Sequence, residues 1–265
     1  MAIFLIIFFL GLAVGSFLNV LIDRLPRNEP VTKGRSHCES CKRKLRWDDL
    51  IPVFSFIALG GKCRYCKAPI SFYYPAVELI TGVLFILFFL FLQGNSIKYE
   101  VLSIKYIIQA ICYLFIISSL IVVFFTDLRY GIIPDKITYF GIIVSFLYLI
   151  LTTNYLILPN ALSAFAAFFF FLLIFIISKG KGMGFGDVKL AFLMGLFLGF
   201  PKIIVALYVA FLTGAVISLI LVLIGRKKFF GSTIPFGPFL VLGTIVALFF
   251  GNYILDSMWP FLLGK

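Results

Sequence analysis

The sequence predicts an all-α polytopic membrane protein of about eight transmembrane helices, with one small cysteine-bearing loop domain between the first and second. Three observations predict it. Of 265 residues, 62% are hydrophobic and 13% charged, whereas soluble domains carry about 25% charged residues. Apolar runs near the ~20 residues that cross a bilayer recur along the chain. Basic residues concentrate in alternate connectors, the pattern of loops kept on the cytoplasmic side.

The elements follow in order. Met1 to Ile22 is apolar with no basic flank before it, so it reads as a retained helix and not a cleavable signal. Further helices are expected over 73–92, 106–125, 137–153, 160–178, 188–200, 203–225 and 237–262. The stretch 188–200 is short and interrupted by Gly195 and Gly199. A tilted or partly inserted segment is the alternative to a full span there. Its neighbour starts after Pro201, which predicts a tight hairpin. Of 23 Lys and Arg residues, 19 fall in the first, third, fifth and seventh connectors, and 11 of these lie between Arg24 and Lys67. The other side holds only Lys98, Lys105, Lys202 and Lys265. This split places the odd connectors in the cytoplasm and both termini outside. It also accounts for the net charge of +12 without nucleic acid, which is not an expected partner.

Three regions result: a first transmembrane helix (1–22), a cytoplasmic segment (23–72) and a transmembrane domain (73–265). Fifty residues are too few for a large core, so the middle segment needs a staple or must pack on the membrane part. Cys38-x2-Cys41 and Cys63-x2-Cys66 supply one. Two such pairs at this spacing read as a tetrahedral four-thiolate zinc site, structural because no coordination position stays open. Redox pairs and unmetallated thiols are the alternatives. A reducing cytosol argues against disulfides.

Two aspartates lie at the cytoplasmic mouths of expected helices. Asp127 follows a long apolar run, and Asp187 follows Gly182, Gly184 and Gly186. Each has an ordinary explanation: Asp127 as a solvated helix end beside Arg129, Asp187 as a helix cap. Ionisable groups near a bilayer are costly, so a functional role is the competing explanation. Two carboxylates in one semi-buried site cannot easily ionise together, and they then share a proton. The ionised member draws a proton from water and the protonated member donates to a carbonyl oxygen. Gly184 and Gly186 would let a substrate backbone approach. Pro235, Gly237 and Pro238 break a helix near the same face, either lining a cleft or simply starting the last helix.

Several motifs in order resemble the type IV prepilin peptidases, a family of GxGD-type aspartic proteases. They are Gly15-Ser-Phe-Leu-Asn-Val-Leu-Ile-Asp-Arg-Leu-Pro26, the four cysteines, Arg46-Trp-Asp-Asp-Leu-Ile-Pro52 and Tyr74-Pro-Ala-Val-Glu78-Leu. Asp127-Leu-Arg-Tyr-Gly-Ile-Ile-Pro-Asp135, Gly184-Phe-Gly-Asp187-Val-Lys-Leu and Ile234-Pro-Phe-Gly-Pro-Phe-Leu240 complete the series. The resemblance implies cleavage of a basic leader from prepilin or pseudopilin helices at the cytoplasmic face of a bacterial inner membrane. Asp127 and Asp187 are then the aspartyl dyad. It further implies N-methylation of the new terminus with S-adenosylmethionine, for which Glu78 is the local candidate, with a structural partnership with an Arg of the loop as the alternative. No Gly-rich nucleotide fingerprint accompanies it. A peptidase without methylation, and a transporter with a zinc-ribbon regulatory loop, are the competing readings.

Overall fold

The computed structural model describes residues 2–32, 34–95, 104–152, 156–225 and 234–262. The basic residues Lys33, Lys98, Arg226, Lys227, Lys228 and Lys265 of the charge count lie outside them. Among the described residues the fold is all-helical apart from two isolated β-bridges. In order come α1 (Ala2–Arg24), a 3-10 turn (Trp47–Leu50), α2 (Phe54–Ala58), α3 (Tyr73–Asn95), α4 (Ile104–Tyr130) and α5 (Asp135–Thr152). Then follow α6 (Ile157–Ile177), α7 (Phe185–Leu198), α8 (Lys202–Leu223) and α9 (Gly237–Leu262).

Among the described residues six helices, α1, α3, α4, α6, α8 and α9, are long and apolar enough to cross a membrane. The chain is therefore a multi-pass membrane protein. The other two helices expected to span are shorter, with 18 residues in α5 and 14 in α7. The brevity of α7 has a packing reason. It buries Asp187, Val188, Leu190, Ala191, Leu193, Met194, Gly195, Leu196 and Phe197. A helix buried along most of its length is wrapped largely by protein and need not match the bilayer's thickness.

Contacts gather the chain into two compact units, Met1–Val101 and Leu102–Lys265. In the first, α1 packs on α3 through small residues. A Cβ on Gly11 would stand 2.7 Å from the Gly82 Cα, and one on Gly15 would stand 2.7 Å from the Glu78 Cα. Gly11 and Gly15 are thus the small-xxx-small face that lets two membrane helices touch backbone to backbone. In the second unit, α6 packs on α7, α8 on α9, and α4 on both α5 and α9. Phe165, Phe169, Phe170 and Phe211 stay exposed on its helices, as a lipid-facing surface requires.

Several helix ends run past their expected bounds, and two of those ends carry the candidate catalytic aspartates. Helix α4 continues to Tyr130, not 125, and stops where Gly131 turns left-handed with φ 65° and its amide closes on the Asp127 carbonyl. Helix α7 begins at Phe185, not 188, after Gly184 as N-cap.

Candidate active site and metal centre

In the second unit Asp127 occupies the last turn of α4 and Asp187 the first turn of α7. Both are buried, at 5% and 6% exposure. Asp127 accepts a hydrogen bond at Oδ2 from the backbone amide of Gly237, 2.9 Å away. Gly237 is the first residue of α9, so this amide is among those a helix start leaves without an intrahelical partner. The positive end of the helix dipole points the same way. Asp187 accepts at Oδ2 from the Gly184 amide at 3.2 Å, while its Oδ1 is buried with no partner. The ordinary cap explanation is therefore partly correct for Asp187: it caps α7 with one oxygen. The second oxygen has no protein partner.

Ile133 joins the two aspartate neighbourhoods. A Cβ on Gly186 would stand 3.0 Å from the Ile133 Cβ, and one on Gly237 would stand 3.2 Å from the Ile133 Cδ1. An ion pair of 2.7 Å from Lys189 Nζ to Asp135 Oδ1 ties the starts of α5 and α7. Asp135 thus opens α5 but spends its carboxylate on α7. Arg129 lies over the Tyr130 ring, 5.2 Å from its centroid. Of the two glycines expected to admit a substrate backbone, Gly186 is packed against Ile133, whereas a Cβ on Gly184 would meet nothing closer than 3.6 Å. A separate apolar groove lined by Pro159, Leu162, Phe170, Phe200, Ile203 and Leu207 holds neither aspartate.

The first unit holds the four cysteines. Their sulfurs lie within 4.8 Å of one another, and Cys38 and Cys66 Sγ are 3.8 Å apart. All are free thiols. Tetrahedral zinc with Zn–S near 2.3 Å needs sulfurs about 3.8 Å apart, so the group can hold a metal ion. The two knuckles fold alike. The Cys38 amide donates to the Arg43 carbonyl and the Cys63 amide to the Ala68 carbonyl. The Lys42 and Lys67 amides return to the Cys38 and Cys63 carbonyls, with φ of 55° and 60°. The backbone amide of Cys41 brings the Cys38 thiol down to about 6. Against the pull of the Ala68 amide, burial and crowding by the other three sulfurs push Cys66 up to about 11. A first thiolate therefore forms readily and the rest need a cation. His37 pairs with Lys44 in a β-bridge and is not among the metal-ligating group.

Two interactions tie this loop down: one at Asp49 that the sequence did not signal, and one at Glu78 whose partner is a backbone amide and not the expected Arg. Asp49 accepts from Arg64 Nε at 2.6 Å, from the Arg46 amide at 3.1 Å and from the Tyr65 hydroxyl at 3.3 Å. Burial works against its charge, but the Arg46 amide and Arg64 prevail and hold the carboxyl below its ordinary range. Arg64 and Tyr65 stand between Cys63 and Cys66, so the clamp grips the second knuckle. Glu78, the methylation candidate on α3, accepts from the Val53 amide at 2.8 Å. Val53 adopts φ 62° and ψ −46°, an outlier for a β-branched residue that persists only when held.

A helical membrane unit with two buried carboxylates at helix ends, joined to a unit with a four-thiol knuckle pair, defines a class of intramembrane aspartic peptidase with a metal-binding loop. The chain belongs to the type IV leader peptidase family: the model described as Type IV leader peptidase family matches residues 114–219, and Bacterial Peptidase A24 N-terminal domain matches residues 9–92. It is 33% identical to the prepilin leader peptidase/N-methyltransferase of Bacillus subtilis (strain 168), over 98% of this chain and 99% of that protein. It is 30% identical to the protein of that name from Legionella pneumophila, over 96% and 93%. Against the Pseudomonas aeruginosa protein it is 29% identical over 95% and 92%. No solved structure matches.

Proposed function

We propose that this chain is a bifunctional enzyme of the bacterial cytoplasmic membrane that removes the leader of prepilins or pseudopilins and N-methylates the residue thereby exposed. The observation that carries the peptidase half is the unpartnered Oδ1 of buried Asp187, beside Asp127 across Ile133. An orphaned carboxylate oxygen in a protein interior is expensive unless it has work to do. Asp127 and Asp187 share one proton. The ionised carboxylate takes a proton from water, and the other donates to the scissile carbonyl. The Gly237 and Gly184 amides hold one oxygen of each carboxylate still. Gly184, on the open side, is where substrate backbone passes, while Gly186 serves packing.

The charge split between connectors supports a cytoplasmic position for this chemistry and for the cysteine loop. On this reading α5 and α7 complete eight passages, with α7 wrapped by its neighbours. The loop of residues 23–72 forms a zinc domain whose ion is held by Cys38, Cys41, Cys63 and Cys66, and residues from α4 onward carry the peptidase. Zinc in a closed four-thiolate shell stabilises the fold and supplies no chemistry.

Methylation rests on the relatives' name. The surroundings of Glu78 do not outline a cradle for S-adenosylmethionine: its Oε2 is taken by the Val53 amide, and its Cα packs against Gly15. Glu78 is accordingly an anchor for the loop. The transporter reading has no support from the family. Cleavage of a prepilin by Asp127→Asn and Asp187→Asn variants in nanodiscs tests the dyad. Each should lose cleavage by at least about a thousandfold, and full cleavage by either variant overturns the assignment.

A further inference from the structure

We propose that residues 47–58, between the two knuckles, are a re-entrant wedge seated in the acyl-chain layer of the bilayer beside α1. The segment is apolar and outward-facing. Trp47 is 74% exposed, Phe54 56% and Ile57 70%, with Leu50 and Ile51 also exposed. Neither of its two short helices buries a residue. A patch of this kind on a water-exposed loop calls for a partner.

Its depth identifies the partner. Val53 hangs from Glu78, and Glu78 faces Gly15, nine residues before Arg24 at the end of α1. That is about 13 Å along the helix axis at 1.5 Å per residue. The Phe54 ring stacks on Phe9 with centroids 6.3 Å apart. Phe9 lies fifteen residues before Arg24, about 22 Å along the same axis. The turn Pro52-Val53-Phe54 therefore runs well below the charged end of α1, against its apolar flank. Phe56 meets Phe72, which directly precedes α3, so the chain climbs back to the rim.

Most backbone amides around the turn have acceptors, which suits hydrocarbon, where an unpaired amide is costly. The Val53 amide goes to Glu78. The Phe54, Ser55, Ile57, Leu59, Gly60 and Gly61 amides go to the carbonyls of Pro52, Ile51, Val53, Ser55, Ile57 and Phe56. The two acids at the start, Asp48 and Asp49, are paired with Arg64. No charged residue follows until Lys62. Exposed Lys44, Arg46, Lys62 and Arg64 flank the apolar stretch on both sides and suit anionic phospholipid headgroups. The proposal uses only the first unit and does not depend on the catalytic reading.

Depth-resolved fluorescence quenching tests it on the full chain in nanodiscs of phosphatidylcholine and phosphatidylglycerol. Trp259→Phe leaves Trp47 as the single tryptophan. Adding Trp47→Phe and Phe54→Trp moves it to the turn. Both should be quenched about twofold by brominated acyl chains and little by aqueous iodide. Position 54 should respond more to bromines near the chain methyls, and position 47 to bromines near the headgroup. Iodide quenching without bromine quenching at both sites overturns the wedge in favour of a solvated loop. Resistance to both quenchers overturns it in favour of a protein cover. Ile57→Trp in the same background supplies the readout if the Phe54 variant loses its fold.

Discussion

The amide of Gly237 reaches Asp127 Oδ2 across 2.9 Å, although 110 residues separate them. Any side chain at 237 would displace that oxygen, because a Cβ there would stand 2.6 Å from it. A buried carboxylate displaced by about an ångström costs on the order of a hundredfold in rate. Gly237→Ala should therefore lose about a hundredfold in prepilin cleavage, while metal content and helicity stay as they are. Cleavage within severalfold of the parent would show that the contact does not position Asp127.

The Lys189–Asp135 pair joins the segment after Asp127 to the helix carrying Asp187. Asp135 is more than half exposed, so solvent screens the pair and its contribution to stability is at most about 1 kcal/mol. Its worth is alignment. Lys189→Met should slow cleavage about fivefold, and the exchanged pair Asp135→Lys with Lys189→Asp should recover most of that loss. An exchanged variant no faster than the single one assigns Lys189 some other task, such as its place 5.1 Å from the Phe185 ring centroid.

These two contacts also mark where the sequence stops being informative. Hydropathy locates each long helix, most ends to within about three positions, and Cys-x2-Cys spacing locates both knuckles, because those signals are local. The ends of α4 and α7 are not local. Helix α4 keeps its last turn partly because Asp127 finds an amide on α9, which no window around residue 127 contains. Similarly, α7 reads as an awkwardly short span because composition cannot tell a helix wrapped by protein from one wrapped by lipid. The break Ile234-Pro-Phe-Gly-Pro was visible as punctuation. That its glycine amide serves an aspartate was not. The strained Val53 left no sequence signal beyond the preceding proline, and Glu78 was expected to meet a loop Arg, not the Val53 amide.

Glu78 separates two roles by substitution. Removing the carboxyl in Glu78→Ala leaves the Val53 amide without an acceptor, at a cost of about 1–3 kcal/mol. Glu78→Gln keeps an acceptor oxygen in place. If Glu78 is an anchor, Ala should open residues 47–61 to proteolysis and abolish methylation of the cleaved substrate, while Gln preserves both. Loss of methylation in Gln with the loop still protected would instead make the carboxylate itself part of methyl transfer.

The metal knuckle and the start of the wedge are coupled through one ion pair, Arg64 to Asp49. Arg64 is placed by its neighbours Cys63 and Cys66, so a bound ion holds the guanidinium that holds Asp49, two residues from Trp47. Removing zinc should free that clamp. In the Trp259→Phe protein, chelation should shift Trp47 emission toward that of a water-exposed indole and raise its iodide quenching about twofold. Arg64→Ala should reproduce the shift with zinc still bound, since the thiolates are untouched. Trp47 emission that ignores both changes would mean that bilayer contact alone seats the segment, with the knuckles serving only their own fold.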